Sequence, residues 1–98
     1  MAMYMLYCSK SKSGKQMDDL RKKFEKIYKE HEVNIVGFWV NADDEDEVFY
    51  LSKYEDEDDY KRAVAGLQSD EEYVKLSRQL EEVRTSIEST KLLPMMSE

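Results

Sequence analysis

The strand-like runs of this chain are apolar on both faces, and that limits what it can fold into. Met3-Tyr-Met-Leu-Tyr-Cys8 sets Met3, Met5 and Tyr7 against Tyr4, Leu6 and Cys8. Val33-Asn-Ile-Val-Gly-Phe-Trp-Val40 sets Val33, Ile35 and Trp39 against Val36, Phe38 and Val40. In Val48-Phe-Tyr-Leu51, Val48 and Tyr50 alternate with Phe49 and Leu51. Successive side chains of a strand point to opposite sides. An antiparallel sheet with one wet face would show polar residues at every second position. Here each face needs an apolar cover. Helices of the chain can supply one, and a second copy of the chain is the simplest source of the other.

The helices are legible from caps and periodicity. Ser13 stands three residues before Gln16, a capping-box spacing that opens a helix running to about Glu32. Its stripe is Met17, Leu20, Phe24, Ile27, Tyr28 and His31, and its other face carries Arg21, Lys22, Lys23, Lys26 and Lys29. Asn41 to Asp46 reads as an acidic turn joining two strands into a hairpin, the second ending near Tyr54. Asp56 and Asp59 can cap a helix whose stripe is Tyr60, Ala63, Val64 and Leu67. Gly66, Gln68 and Ser69 interrupt it, and Ser69-Asp-Glu-Glu72 opens another helix with Tyr73, Leu76, Leu80 and Val83 on one side. Thr85 to Leu93 has strand-like spacing and stops at Pro94.

The order is therefore β-α-β-β-α-β with the second helix split. That is an α+β, ferredoxin-like arrangement: a four-stranded antiparallel sheet with helices on one face. With 98 residues and no linker-like stretch, residues 1–98 form one domain. A monomer of this size buries only about 60–65% of its unfolded surface, a further reason to expect a homodimer. The net charge of −7 argues against a nucleic-acid partner, which needs clustered Lys and Arg. No run approaches the ~20 apolar residues of a membrane span, so no membrane partner is expected. The single cysteine, Cys8, excludes an intrachain disulfide and fits a reducing, cytoplasmic setting.

Several segments resemble the NIPSNAP-like family of the dimeric α/β barrel superfamily. They are Val36-Gly-Phe-Trp39 before an acidic turn, Val48-Phe-Tyr-Leu-Ser-Lys-Tyr54, the helix carrying Arg62, the helix start Ser69-Asp-Glu-Glu-Tyr73, and Leu92-Leu-Pro94. The chain departs from the family pattern at three places. Glu71 stands for the usual proline, Tyr73 for the usual tryptophan, and His31-Glu32 for a frequent His-Gly. The resemblance implies a homodimer whose sheets pack face to face. Activity does not follow from it, since the superfamily spans cofactor-free monooxygenases, haem-degrading enzymes and proteins of unknown role.

Few residues could carry chemistry. His31 is the one side chain with an unperturbed pKa near neutrality, so it is the candidate general base; the alternative is a cap on a helix C-terminus. Cys8 has no resolving partner and reads as a packed strand residue. Asp43-Asp-Glu-Asp-Glu47 lacks the ligand spacing and central glycine of a calcium loop, and no metal is expected there. No spacing points to haem or any other cofactor. Arg62 could pair a ligand carboxylate, or pair Asp58 or Asp59 one turn earlier. The aromatic set Tyr4, Tyr28, Phe38, Trp39, Tyr50, Tyr54, Tyr60 and Tyr73 suits a planar ligand or a dimer interface.

The expected function is binding of a small apolar or aromatic molecule in a pocket between helices and sheet, with Tyr28, His31, Trp39, Tyr50 and Arg62 as its contacts. Alternatives are a cofactor-free monooxygenase or isomerase acting on an aromatic or carbonyl substrate, and a protein-interaction module built on the acidic hairpin and the basic helix face.

Overall fold

The computed structural model describes residues 1–96. Its elements are β1 (Met3–Ser11), α1 (Gly14–Glu30), β2 (Asn34–Asn41), β3 (Asp44–Tyr54), α2 (Glu57–Gln68), α3 (Glu71–Val83) and β4 (Arg84–Leu92). The four strands form one sheet in the order β2-β3-β1-β4, with every neighbouring pair antiparallel. The ferredoxin-like arrangement expected from the sequence is the one observed, split second helix included. No described helix is long and apolar enough to cross a membrane.

Local chemistry sets the boundaries. Ser13 Oγ accepts from Gln16 N–H at the start of α1. At its end, Val33 N–H reaches Tyr28 O at 2.8 Å and Glu32 N–H reaches Lys29 O at 3.2 Å. That pair of bonds is a Schellman closure, which needs a left-handed residue just past the cap. Glu32 fills that place with φ 56°, where a glycine would be unstrained. Asp56 caps α2 through its side chain, and α3 is capped by Asp70 rather than by Ser69 of the expected capping box, since Ser69 is the C-cap of α2.

The hairpin is tighter than the sequence suggested. Asn41 and Asp44 are already paired, so the turn is only Ala42 and Asp43, and β3 takes in the acidic run. Side chains compensate the charge. Asn41 Nδ2 donates to Glu47 Oε1 at 2.7 Å, Asp46 Oδ1 accepts from Gly14 N–H at 3.0 Å, and Lys10 Nζ lies 3.8 Å from both Asp44 and Glu47.

The core lies between the helices and one sheet face. Met3, Met5 and Tyr54 from the strands meet Leu20, Phe24 and Ile27 of α1, Ala63 and Leu67 of α2 and Leu76 of α3. The strand register shifts between Ile35 and Gly37. This bulge at Val36 changes the phase of β2. Ile35 opposite Ser52 and Phe38 opposite Tyr50 therefore share the helix side. The alternation read from the sequence, which put Ile35 with Trp39, is corrected: Trp39 pairs with Phe49, and Phe49 with Cys8, on the far side. That far face also carries Tyr4, Leu6 and Leu51. No element among the described residues covers it, and Trp39 remains 52% exposed there.

Candidate functional site

The helix side of the sheet is lined by aromatic rings in continuous contact. Tyr7 of β1 stacks on Tyr50 of β3 with ring centroids 4.7 Å apart, and Tyr50 stacks on Phe38 of β2 at 5.5 Å. The register causes this, because Tyr7, Tyr50 and Phe38 occupy one row across three strands. Above them, Phe24 and Tyr28 of α1 meet Tyr73 of α3, at 5.8 Å and 6.5 Å. Tyr28 and Phe24 face the sheet because they lie four residues apart on the apolar stripe of α1.

Between this roof and this floor is a cavity of about 320 Å³. Tyr7, Tyr50, Ser52 and Ile35 floor it, Tyr28, Tyr73 and Leu80 roof it, and Arg84 and Ile87 of β4 stand at one side. Such a volume and lining, mostly apolar with a few polar tips, is ordinary for a small-molecule site. A larger depression of about 870 Å³ lies at the surface between the start of α1 and the hairpin. Of its charged residues, Asp46 takes the Gly14 N–H, and Asp18 pairs with Arg21.

Three phenols of the cavity, those of Tyr7, Tyr28 and Tyr50, are held protonated. Burial pushes the Tyr50 hydroxyl up to about 12, with the Arg84 guanidinium opposing the rise. Burial also raises Tyr7 and Tyr28 above the ordinary phenol range. At neutral pH these groups are hydrogen-bonding partners, not bases. Ser52 is 2% exposed, and its Oγ has no hydrogen-bond partner. The neighbouring Tyr54 hydroxyl is near enough for Ser52 to temper its burial-raised pKa, but the two do not meet in hydrogen-bonding geometry. A buried orphan hydroxyl costs about 1–3 kcal/mol unless something bonds to it.

The five residues expected at the site are divided among three places. Tyr28 and Tyr50 come together at the cavity. Trp39 lies across the sheet on the uncovered face, its indole folded over Gly37 so that a Cβ there would sit 2.4 Å from the ring. His31 and Arg62 lie at the corner where α1 ends. His31 is the C-cap residue of α1 and bonds Asp70. Arg62 is held by Asp59 Oδ1 at 2.9 Å and by His31 O at 3.0 Å. Neither lines the cavity. Cys8, on the far face, has its thiol 3.6 Å from Glu47 Oε2; burial first and then that carboxylate raise its pKa, which disfavours a reactive thiolate. No cluster of metal-ligating side chains occurs among the described residues.

Sequence reasoning missed Tyr7, Ser52 and Arg84 as site residues. Tyr7 shares the parity of Met3 and Met5 in β1, a signal that could have placed it. Arg84 carries no such mark, because its position depends on how α3 meets β4.

No family model and no curated protein matches the chain. Solved structures do. A NIPSNAP family protein from Agrobacterium tumefaciens superposes with a TM-score of 0.82 at 20% identity, covering 97% of this chain and 94% of that one. An uncharacterised NIPSNAP-like domain protein from Burkholderia xenovorans gives 0.82 at 18% identity, covering 96% and 85%. SnoaB, a cofactor-independent oxygenase from Streptomyces nogalater, gives 0.79 at 9% identity, covering 98% and 95%. The chain has the fold of these proteins.

Proposed function

We propose that this protein is a homodimer that binds a small aromatic molecule in the tyrosine-lined cavity. The observation that carries the binding reading is the orphaned Ser52 hydroxyl in the floor of an aromatic cavity of about 320 Å³. A ring inserted there lies between the Tyr7–Tyr50 stack below and Tyr28 and Tyr73 above, and aromatic contacts are worth about 0.5–1.5 kcal/mol each beyond area burial. The dimer reading rests on the uncovered far face. Trp39, Leu6, Phe49 and Leu51 form a contiguous apolar surface of a kind that monomers rarely leave in water.

The likeness to the Streptomyces oxygenase favours a second reading, cofactor-free oxygenation of the bound molecule. The cavity counts against acid–base work by the protein itself, because no carboxylate or imidazole lines it and burial keeps the Tyr7, Tyr28 and Tyr50 phenols protonated. Binding is therefore the better supported function.

Thermal denaturation with planar aromatic compounds tests it. Wild type is stabilised, and Leu80→Trp, which fills the cavity, loses that response while keeping its own cooperative transition. Equal stabilisation of both proteins would place the ligand elsewhere.

A further inference from the structure

We infer that the cavity's ligand is an aromatic acid of about one or two rings, recognised through its carboxylate by Arg84. The inference rests on the binding reading above and adds the class of ligand.

Charge balance inside the cavity is the starting point. Its lining contains one cation, Arg84, and no carboxylate. The chain as a whole carries −7, so an unmatched positive site is against the trend of its composition. Arg78 is exposed and has no ion pair among the described residues, but the other two arginines of the chain are tied to carboxylates. Arg21 is tied to Asp18 at 2.8 Å and to Glu25 at 2.6 Å, and Arg62 to Asp59 at 2.9 Å. Arg84 is half-buried, yet among the described residues its guanidinium has no ion pair and no hydrogen bond.

The position of Arg84 is firm. It is the C-cap residue of α3, its N–H bonds to Leu80 O, and it pairs with Ser11 of β1 where the β1–β4 register shifts past Thr85. Its charge is felt at the Tyr50 hydroxyl, whose pKa it lowers against the effect of burial. The guanidinium therefore stands near the rings on which an aromatic ligand would lie. Ser52, the other unpartnered group, belongs to the opposite end of the Tyr7–Tyr50 row, since Ser52 pairs with Met5 and Arg84 with Ser11. Ser52 is uncharged, so the anionic end of the ligand is assigned to Arg84.

Ligand chemistry follows from these limits. A guanidinium meets a carboxylate through two parallel N–H···O bonds, and one arginine neutralises one carboxylate. A phosphate dianion would leave a charge unmatched in this cavity. An apolar cavity of about 150 Å³ accepts a benzene ring. One of about 320 Å³ has room for about two.

Calorimetric titration with naphthoate and with its neutral isostere naphthamide tests the inference. Naphthoate should bind wild type about tenfold to a hundredfold more tightly than naphthamide, the effect of a charge-assisted pair. In Arg84→Gln the preference should vanish while weak binding of both compounds persists. Equal binding of the two by wild type, or a preference that survives in Arg84→Gln, overturns the role of Arg84 and leaves the cavity as a binding site. Binding of neither compound by wild type overturns the binding reading as well. The wild-type comparison decides the ligand class even where the Arg84 variant fails to fold.

Discussion

His31 Nε2 lies 2.7 Å from Asp70 Oδ2, and this contact ties the end of α1 to the start of α3. The carboxylate offers only lone pairs, so the proton of this bond sits on the imidazole. Asp70 uses its other oxygen to accept from the N–H groups of Glu72 and Tyr73. On its far side the ring lies against Gly66 of α2, where an added Cβ would be 3.0 Å from Nδ1. One imidazole thus organises the corner where three helices meet, and through Asp70 it fixes the turn that carries Tyr73 over the cavity. The side chain with the best intrinsic pKa for catalysis is spent on holding the roof.

This corner makes stability depend on pH. The His31 hydrogen bond, and then the N–H groups of Tyr73 and Glu72, hold the Asp70 carboxyl below its ordinary value of 3.8. A depressed folded-state pKa adds stability above the unfolded value and loses it as the pH falls through the folded one. The thermal midpoint of wild type should drop between about pH 5 and pH 3, and Asp70→Asn should show a shallower drop. Parallel profiles for the two proteins would mean that this carboxylate contributes no pH-dependent stability.

Glu32 carries the one positive φ among the described non-glycine residues, 56°. The left-handed region costs an ordinary residue about 1–2 kcal/mol, and glycine nothing comparable. Glu32→Gly should therefore stabilise the fold by up to about 1 kcal/mol once the added freedom of the unfolded chain is allowed for. Urea unfolding measures it. A loss of stability would show that the Glu32 side chain makes an interaction that outweighs the backbone strain.

Ser52→Ala removes the orphan hydroxyl without opening a large cavity. We expect the ligand-free protein to gain about 1 kcal/mol or more, the cost of an unsatisfied buried polar group. A ligand that bonds the hydroxyl would lose affinity in the same variant. Destabilisation of the ligand-free form would mean that the hydroxyl is already satisfied.

Trp39, on the edge strand β2, lies on the uncovered sheet face. Sedimentation equilibrium of wild type at micromolar concentration should give twice the chain mass of 11.7 kDa. Trp39→Asp should give the single-chain mass with unchanged far-ultraviolet circular dichroism, since an unpaired charge is costly in an apolar interface and cheap in water. A monomeric wild type would remove the proposal that a second copy covers this face.

The sequence by itself determined what is local. Caps at Ser13 and Asp56, the helix start at Ser69-Asp70, apolar stripes at helical spacing, and the interruption after Gly66 each act within a turn or two, so the order of elements was legible. The doubly apolar strands were legible for the same reason, because alternation needs no knowledge of partners. Tertiary structure decided which face each strand residue joins and what the polar groups do. The bulge at Val36 stands beside Gly37, a glycine that can mark one, but the surrounding alternation does not say which way the phase shifts, and the shift sends Phe38 to the cavity and Trp39 to the far face. His31 and Asp70 are 39 residues apart, and only the packing of α1 against α3 makes them partners. Arg84 lies in the cavity wall because α3 ends where β4 pairs with Ser11. Spacing along the chain records periodicity; the phase of a strand and the partner of a charge are set by contacts between distant segments.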